Sequence, residues 1–476
     1  MAKKTTYSSP RLQRKKKMLL SGIVFAVLVG AVLAGASQIQ IVREFFGQAS
    51  GTPANLVVNT TAVLGPVARP WRNLAQGGED HAWRLQPLTA EVKSLHPEYI
   101  RIDHIYDFYD IVQGQPGNLS FDFSKLDLVL NDILATGAKP FISLSYMPPA
   151  IASGDIVSPP KNWADWQLTV QKTIEHISGT LGIEDVYYEV WNEPDLFGGW
   201  KYYGDKNYLT MYTYSIQGAN KAQGVKPYKI GGPATTALYK NWFDALAKHA
   251  IDNNLRLDFF SWHRYTTDVD QYTQDITEVH TWIENYPQLA PTLEFHITEW
   301  GHNSENDPGY DTAVGAAHTV AGSITMSNWI QRAFIFEIQD GRAPENQAYW
   351  GRWGMFTHKD AGATAKPRYH ALNMLESIGD QRLQITGLGS WVKAVAAKNT
   401  KGNPELVIVN YSAQGNHSEN VPITFRNIEP GSFKLEQQFL SGRTLSTPVA
   451  TTEATLKAFV NMAANDVAKV ELVRTP

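Results

Sequence analysis

Between residues 55 and 383, short runs of apolar, β-branched and aromatic residues alternate with longer stretches whose apolar positions recur every three or four residues. Runs of the first kind suit strands buried on both faces, and stretches of the second kind suit amphipathic helices. This pattern predicts strands at Tyr99–Ile105, Lys139–Tyr146, Val186–Trp191, Lys229–Gly232, Asp258–His263, Glu294–Glu299 and Arg332–Ile338. Between them it predicts helices near 123–136, 163–181, 207–223, 241–254, 270–285 and 313–330, with a last helix at 367–378. A further strand, first in order, falls at Trp71–Gly78. Eight β-then-α units over 55–383 predict an α/β fold, a closed (β/α)8 (TIM) barrel. A doubly wound open sheet is the competing arrangement, but no Gly-x-Gly-x-x-Gly follows the first strand.

The rhythm changes near residue 384. Trp391–Ala397, Glu405–Tyr411, Val421–Phe425, Ser432–Phe439 and Val467–Val473 read as strands separated by turn residues. Residues 384–476 are therefore predicted to form a β-sandwich. The opposite end is different again. Residues 1–17 hold seven Lys and Arg and no acid, which leaves −11 on the rest of a chain whose total is −4. Met18–Ala36 follows, nineteen residues without a charge, enough for a helix that nearly crosses the ~30 Å hydrocarbon core. A basic flank stays in the cytoplasm, so residues beyond Ala36 are expected outside. Ala34-Gly35-Ala36 has the form of a signal-peptidase site, which makes the segment either a membrane anchor or a signal cleaved after Ala36. Residues 37–54 read as a stalk.

Composition narrows the chemistry. The absence of Cys removes disulfides, thiolate zinc sites, iron–sulfur clusters and Cys nucleophiles. A net charge of −4 argues against a nucleic-acid partner. His104, His263, His296 and His302 raise the question of a metal, yet His296-x-x-Glu299-x-x-His302 lies on a strand and does not converge. No zinc helix, nucleophile elbow or phosphate loop occurs, so no metal or other cofactor is expected.

A barrel places reactive groups at the C-terminal ends of its strands. Two acids meet that demand: Glu193 leaves the fourth strand in Trp191-Asn192-Glu193-Pro194, and Glu299 ends the seventh in Thr298-Glu299-Trp300. A carboxylate pair across one mouth can cleave an acetal, one protonating the leaving oxygen and the other attacking carbon or activating water. Glu189 and Glu294 lie deeper in the same strands and are set aside. Arg101 is assigned as the partner that keeps a mouth carboxylate ionised.

These motifs resemble clan A of the glycoside hydrolases, and within it most closely family 39, which includes β-xylosidases and α-L-iduronidases. Gly231-Gly232-Pro233, Trp262-His263-Arg264-Tyr265, Trp353-Gly354-Met355 and Lys366-Pro367-Arg368 agree with it. The resemblance implies Glu193 as acid/base and Glu299 as nucleophile of a retaining hydrolase. It also implies that Asn192 binds the sugar 2-hydroxyl while His263 and Tyr265 line the sugar subsite. Trp300 and Trp353 are candidate sugar platforms, whereas Trp191 is assigned to packing. One position departs from the family. Its second strand carries Arg-x-His, with the His reading a sugar hydroxyl, but this chain has Arg101-Ile102-Asp103-His104. Asp103 then takes the sugar-reading position, and strand alternation sends His104 to the other side. The expected activity is a β-xylosidase-like exo-glycosidase acting on an exported or external glycan. The alternatives are an endo-acting hydrolase of an exported polysaccharide and a non-catalytic carbohydrate-binding protein at the cell surface.

Overall fold

The computed structural model describes residues 51–78, 80–342 and 351–475. The basic tail, the uncharged segment 18–36 and nearly all of the stalk lie outside the described residues, and none of the described helices is long and apolar enough to cross a membrane.

Eight parallel strands close into a barrel: Asn73–Gln76, Tyr99–Ile102, Lys139–Leu144, Val186–Val190, Tyr228–Thr235, Phe259–Tyr265, Glu294–Gly301 and Arg332–Phe336. Each is paired in parallel to its neighbour, and Arg332–Phe336 returns to Asn73–Gln76 through Ile335 opposite Leu74. The strand at Trp71–Gly78, the faintest in the pattern, is real; its four residues are all buried. Helices at Ser124–Thr136, Trp163–Ile174, Tyr208–Lys221, Lys240–Asp252, Asp270–Ile283, Ala313–Met326 and Pro367–Glu376 cover the outside. Asn162 and Asn207 begin two of them by accepting the backbone N–H two residues on, the usual N-cap device.

The barrel is filled in two layers. Its lower interior is aromatic: Tyr99, Phe141, Tyr187, Phe259 and Phe334 form one buried cluster, with Phe141 4.7 Å from Phe334 and 5.2 Å from Tyr187. Above this floor the inward residues turn polar, beginning with Arg101 and Glu189. Successive inward positions on a strand are two residues apart, so Tyr99 sends Arg101 and then Asp103 toward the mouth.

The second domain departs from the predicted sandwich in two respects. Its nine strands form one continuous sheet, in the order Thr444–Thr451, Gly431–Phe439, Asp466–Arg474, Pro404–Asn410, Val392–Lys398, Gln381–Thr386, Leu56–Pro66, Glu419–Arg426, Thr455–Met462. The two end strands are consecutive in the chain and only Thr452–Ala454 separates them, so the sheet is rolled until its edges face each other. Leu56, Val58, Ile408, Ile423, Val460 and Val470 share the enclosed core. A single rolled sheet thus does the packing of two layers. The boundaries also move. Leu56–Pro66 was assigned to the 55–383 barrel, but it lies inside this sheet, antiparallel to Gln381–Thr386 and parallel to Glu419–Arg426. Burial decides its place, since Leu56 and Val58 are fully enclosed there. The sheet's outer face packs through Val395, Val407 and Val467 into the barrel-side core, and helix Ala313–Met326 is buried on almost every side between the two.

Leu56→Ala is expected to destabilise the protein by about 2–5 kcal/mol, as for other buried leucines. Deletion of residues 1–66 should abolish cooperative unfolding, whereas deletion of residues 1–50 should leave the thermal midpoint unchanged; calorimetry of the three variants checks this.

Candidate active site

Three local backbone devices assemble the mouth. On the seventh strand, Ile297 lies opposite Trp262 but Glu299 lies opposite His263, so a bulge at Thr298 shifts the register. Simple alternation from inward-facing His296 would send Glu299 outward, and the extra residue turns it in. On the fourth strand, Trp191 has φ 76°. This left-handed turn swings its indole out against Trp166 and Trp200 and lets Asn192 face Arg101. Glu193 has φ 45°, a second strained residue at the same exit, its N–H held by the Ala234 carbonyl at 3.0 Å. On the second strand, the ladder stops at Ile102 and His104 takes φ 52°. His104 therefore lines the same cavity as Asp103, which corrects the expectation that alternation would separate them.

The centre is the fully buried Arg101. Its Nε donates to Glu189 Oε2 at 2.8 Å, one terminal nitrogen to Glu299 Oε1 at 2.8 Å, and the other to Asn192 Oδ1 at 2.7 Å. Tyr265 donates its hydroxyl to Glu299 Oε2 at 3.0 Å. His263 Nδ1 lies 2.8 Å from Glu193 Oε1 and 3.4 Å from Glu299 Oε2. Asn192 donates to the Tyr146 hydroxyl at 2.9 Å. Tyr146, two residues beyond the third strand, was not among the candidates; its place at a strand's C-terminal end was the available signal.

Electrostatics follow from burial. Desolvation raises the pKa of Glu299, Glu193 and Asp103 push the same way, and His263 and Arg101 act against it. Burial disfavours protonated His263, but the Glu299 and Glu193 carboxylates overcome that and raise its pKa. Burial also raises Asp103, opposed by His104 and Arg101. Glu294, at the far end of the barrel, is different. Although burial opposes ionisation, its contacts with His296, Lys229 and Tyr187 hold its pKa well below the usual carboxylate range. It serves the opposite end of the barrel, where it meets Lys229 and Tyr187, and Glu189 serves Arg101.

An oxygen of Glu193, a nitrogen of His263 and an oxygen of Glu299 lie within 4.8 Å of one another. These are metal-capable atoms, but Arg101 and Tyr265 already donate to both oxygens of Glu299. His296 instead contacts Glu294, and His302 packs against Tyr310 with the two rings tilted. Above the acids is a cavity of about 510 Å³, lined by Asp103, Asn192, Glu193, Tyr265, Glu299 and Trp353 among others. His263 is wholly buried and is not among the residues lining it, so the expectation that His263 lines the sugar subsite is corrected: it contacts the two acids instead. Trp300 does not reach it: placed one residue past inward-facing Glu299, it points outward and packs 5.3 Å from Tyr272 and against Gly322. The expectation of a sugar platform at Trp300 is therefore corrected. A larger recess of about 920 Å³, lined by Pro367, Leu440 and Met462, contains neither strand-end acid.

The family model described as "Glycosyl hydrolases family 39" matches residues 58–434. A curated β-xylosidase from Caldicellulosiruptor saccharolyticus is 26% identical over 419 residues, spanning 79% of this chain and 82% of that protein. Among solved structures, a monomeric β-xylosidase from Caulobacter crescentus CB15 superposes with a TM-score of 0.74 at 20% identity, covering 89% of this chain and 100% of the other. A family 39 enzyme from Xanthomonas axonopodis pv. citri gives 0.73 at 17% identity, covering 89% and 98%. At these identities the two structures show likeness of fold.

Arg101→Met should leave Glu189 and Glu299 buried without their cation, at a cost of about 3–5 kcal/mol in denaturant unfolding. Because Arg101 lowers the pKa of Glu299, the carboxyl should titrate at higher pH in this variant. Carboxyl 13C NMR reads the shift, and an unchanged titration would contradict the assignment.

Proposed function

Because the chain belongs to family 39 of the glycosyl hydrolases and is a glycosidase cleaving O-glycosyl bonds, we propose that it is a retaining exo-glycosidase, β-xylosidase-like, acting outside the cytoplasm. The observation that carries the mechanism is the approach of the two acids: an oxygen of Glu193 lies within 4.8 Å of one of Glu299. Retaining pairs sit about 5–5.5 Å apart, whereas pairs that admit a water sit about 6.5–9.5 Å apart. The close pair supports direct attack.

In the first step Glu193 gives its proton to the leaving oxygen as a Glu299 oxygen bonds to the anomeric carbon and the glycosidic bond breaks. In the second, Glu193 takes a proton from water, which attacks that carbon and frees Glu299. Arg101 and Tyr265 orient the nucleophile and favour its ionised form by donating to one oxygen each. His263 touches both acids and couples their positions. Asn192, fixed between Arg101 and Tyr146, presents its amide to the sugar. The basic run at 1–17 and the uncharged stretch after it support export, by anchor or cleaved signal.

Exposed apolar residues extend the cavity beside the acid/base. Leu196 and Phe197, 58% and 43% exposed, line the cavity three and four residues after Glu193. Such a wall suits an extended substrate, and the product distribution from xylo-oligosaccharides distinguishes exo from endo cleavage.

With a dinitrophenyl glycoside, whose departure needs no proton, Glu193→Ala should keep its first step, and azide should restore turnover as a glycosyl azide of retained configuration. Glu299→Ala should be inactive on every glycoside, with any azide rescue giving inverted product. Exchange of these behaviours, or inverted product from the wild type on NMR, would refute the retaining assignment.

A further inference from the structure

Resting on that hydrolase reading, we propose that Arg368 is a positioning residue: by gripping the backbone of Phe336 and Trp353, it sets the Trp353 ring where it meets a bound sugar. Phe336 and Trp353 both line the cavity, their ring centres 6.0 Å apart. Arg368 is wholly buried and does not line it. Its Nε donates to Thr319 Oγ1 at 3.0 Å, one terminal nitrogen to the Phe336 carbonyl at 3.1 Å, and the other to the Trp353 carbonyl. The Tyr310 ring lies 4.8 Å from its central carbon. A planar fork that spans two carbonyls fixes their separation, which a single ammonium does not.

Local stability does not account for this cation. Burial lowers the pKa of Arg368, and its hydrogen bonds go to neutral acceptors, which makes the charge costly to enclose. It also sits in the first turn of helix Pro367–Glu376, just after Lys366 at the N-cap. Cations there oppose the helix dipole, so neither residue serves the helix itself. Lys366, also buried, reaches the same segment. Its Nζ donates to the Arg352 carbonyl at 3.1 Å and to Asp340 Oδ1 at 2.7 Å, and Asp340 Oδ1 accepts the Gly354 N–H at 2.8 Å. Three consecutive residues, Arg352, Trp353 and Gly354, are thus held through their main chain from one helix start. Gly354 has no room for a side chain, since a Cβ there would stand 2.3 Å from the Asp340 nitrogen. The Trp353 indole N–H donates to the Asn303 carbonyl at 3.2 Å, so the residue is tied at backbone and ring alike. A group that touches substrate needs such support, because it must be held within about 0.5 Å of its working position.

The test uses the full chain labelled with 5-fluorotryptophan, with thermal melting to confirm folding. 19F NMR reads Trp353, its resonance assigned by Trp353→Phe, and the buried Trp166, Trp200 and Trp262 serve as internal controls. Arg368→Met should shift or broaden the Trp353 resonance and leave the controls in place. With 4-nitrophenyl β-xyloside the same variant should raise KM about tenfold and change kcat by less than about twofold, the signature of lost uniform binding. In a Trp353→Ala background the KM effect of Arg368→Met should vanish, because the double-mutant cycle isolates what passes through that ring. Should Arg368→Met not fold, the near-isosteric Thr319→Val, which removes the acceptor of Arg368 Nε, provides the same readings at smaller amplitude. An unmoved Trp353 resonance in the folded variant overturns the proposal, as does equal movement of all the controls or a KM effect that persists without the Trp353 ring. A selective shift at Trp353 in a protein that hydrolyses no glycoside would support the grip on that ring and count against the hydrolase reading instead.

Discussion

One guanidinium organises the mouth of this barrel. Arg101 is wholly buried, and its fork spans three positions that the chain supplies from two distant strands: Glu189 and Asn192 from the fourth, Glu299 from the seventh. Isolated, such a charge would be costly to bury. Here the cost is offset by two carboxylates, and although desolvation works against the cation, Glu189 and Glu299 raise its pKa. The arrangement is reciprocal. The acids keep the arginine charged, and the arginine opposes the burial that would neutralise Glu299. Lysine, with a point charge and no planar fork, lacks this geometry.

The two-layer filling of the barrel makes that interaction strong. Tyr99, Phe141, Tyr187, Phe259 and Phe334 fill the lower interior, so the polar layer above them rests on a buried aromatic floor. Charges there are poorly screened, and each hydrogen bond counts for more than it would at the surface. The same floor explains why the lower acid, Glu294, is met by its own group of partners rather than joining the mouth.

Much of this was legible in the chain. The eight barrel strands and the helices between them followed from alternating blocks of apolar residues, and Glu193 and Glu299 followed from the rule that strand ends carry function. What escaped were the places where backbone departs from regular geometry. The bulge at Thr298 and the left-handed turns at Trp191 and His104 carry no periodic signature, yet they decide which way Glu299, Asn192 and His104 face. Trp300 was misassigned because its neighbour was correctly placed: if Glu299 points in, the next residue on the strand points out. Thr444–Thr451 was missed for a different reason, since its pattern is mostly exposed and polar at an edge of the sheet. Leu56–Pro66 was assigned to the wrong domain because sequence proximity to the first barrel strand says nothing about partners more than three hundred residues away.

That remote pairing bears on the order of events during synthesis. Leu56–Pro66 leaves the ribosome early, but both strands that flank it come from the last hundred residues of the chain. A loop of that span must close before the sheet exists, and loops of high sequence separation form late. Until then Leu56 and Val58, with their strand's unpaired backbone, wait in solvent while the barrel condenses beside them. An emerging chain therefore carries an adhesive edge until Gln381–Thr386 and Glu419–Arg426 have been made, and the polar residues threaded through it, Asn59, Thr60 and Thr61, are the ones positioned to keep that edge in solution until those partners arrive.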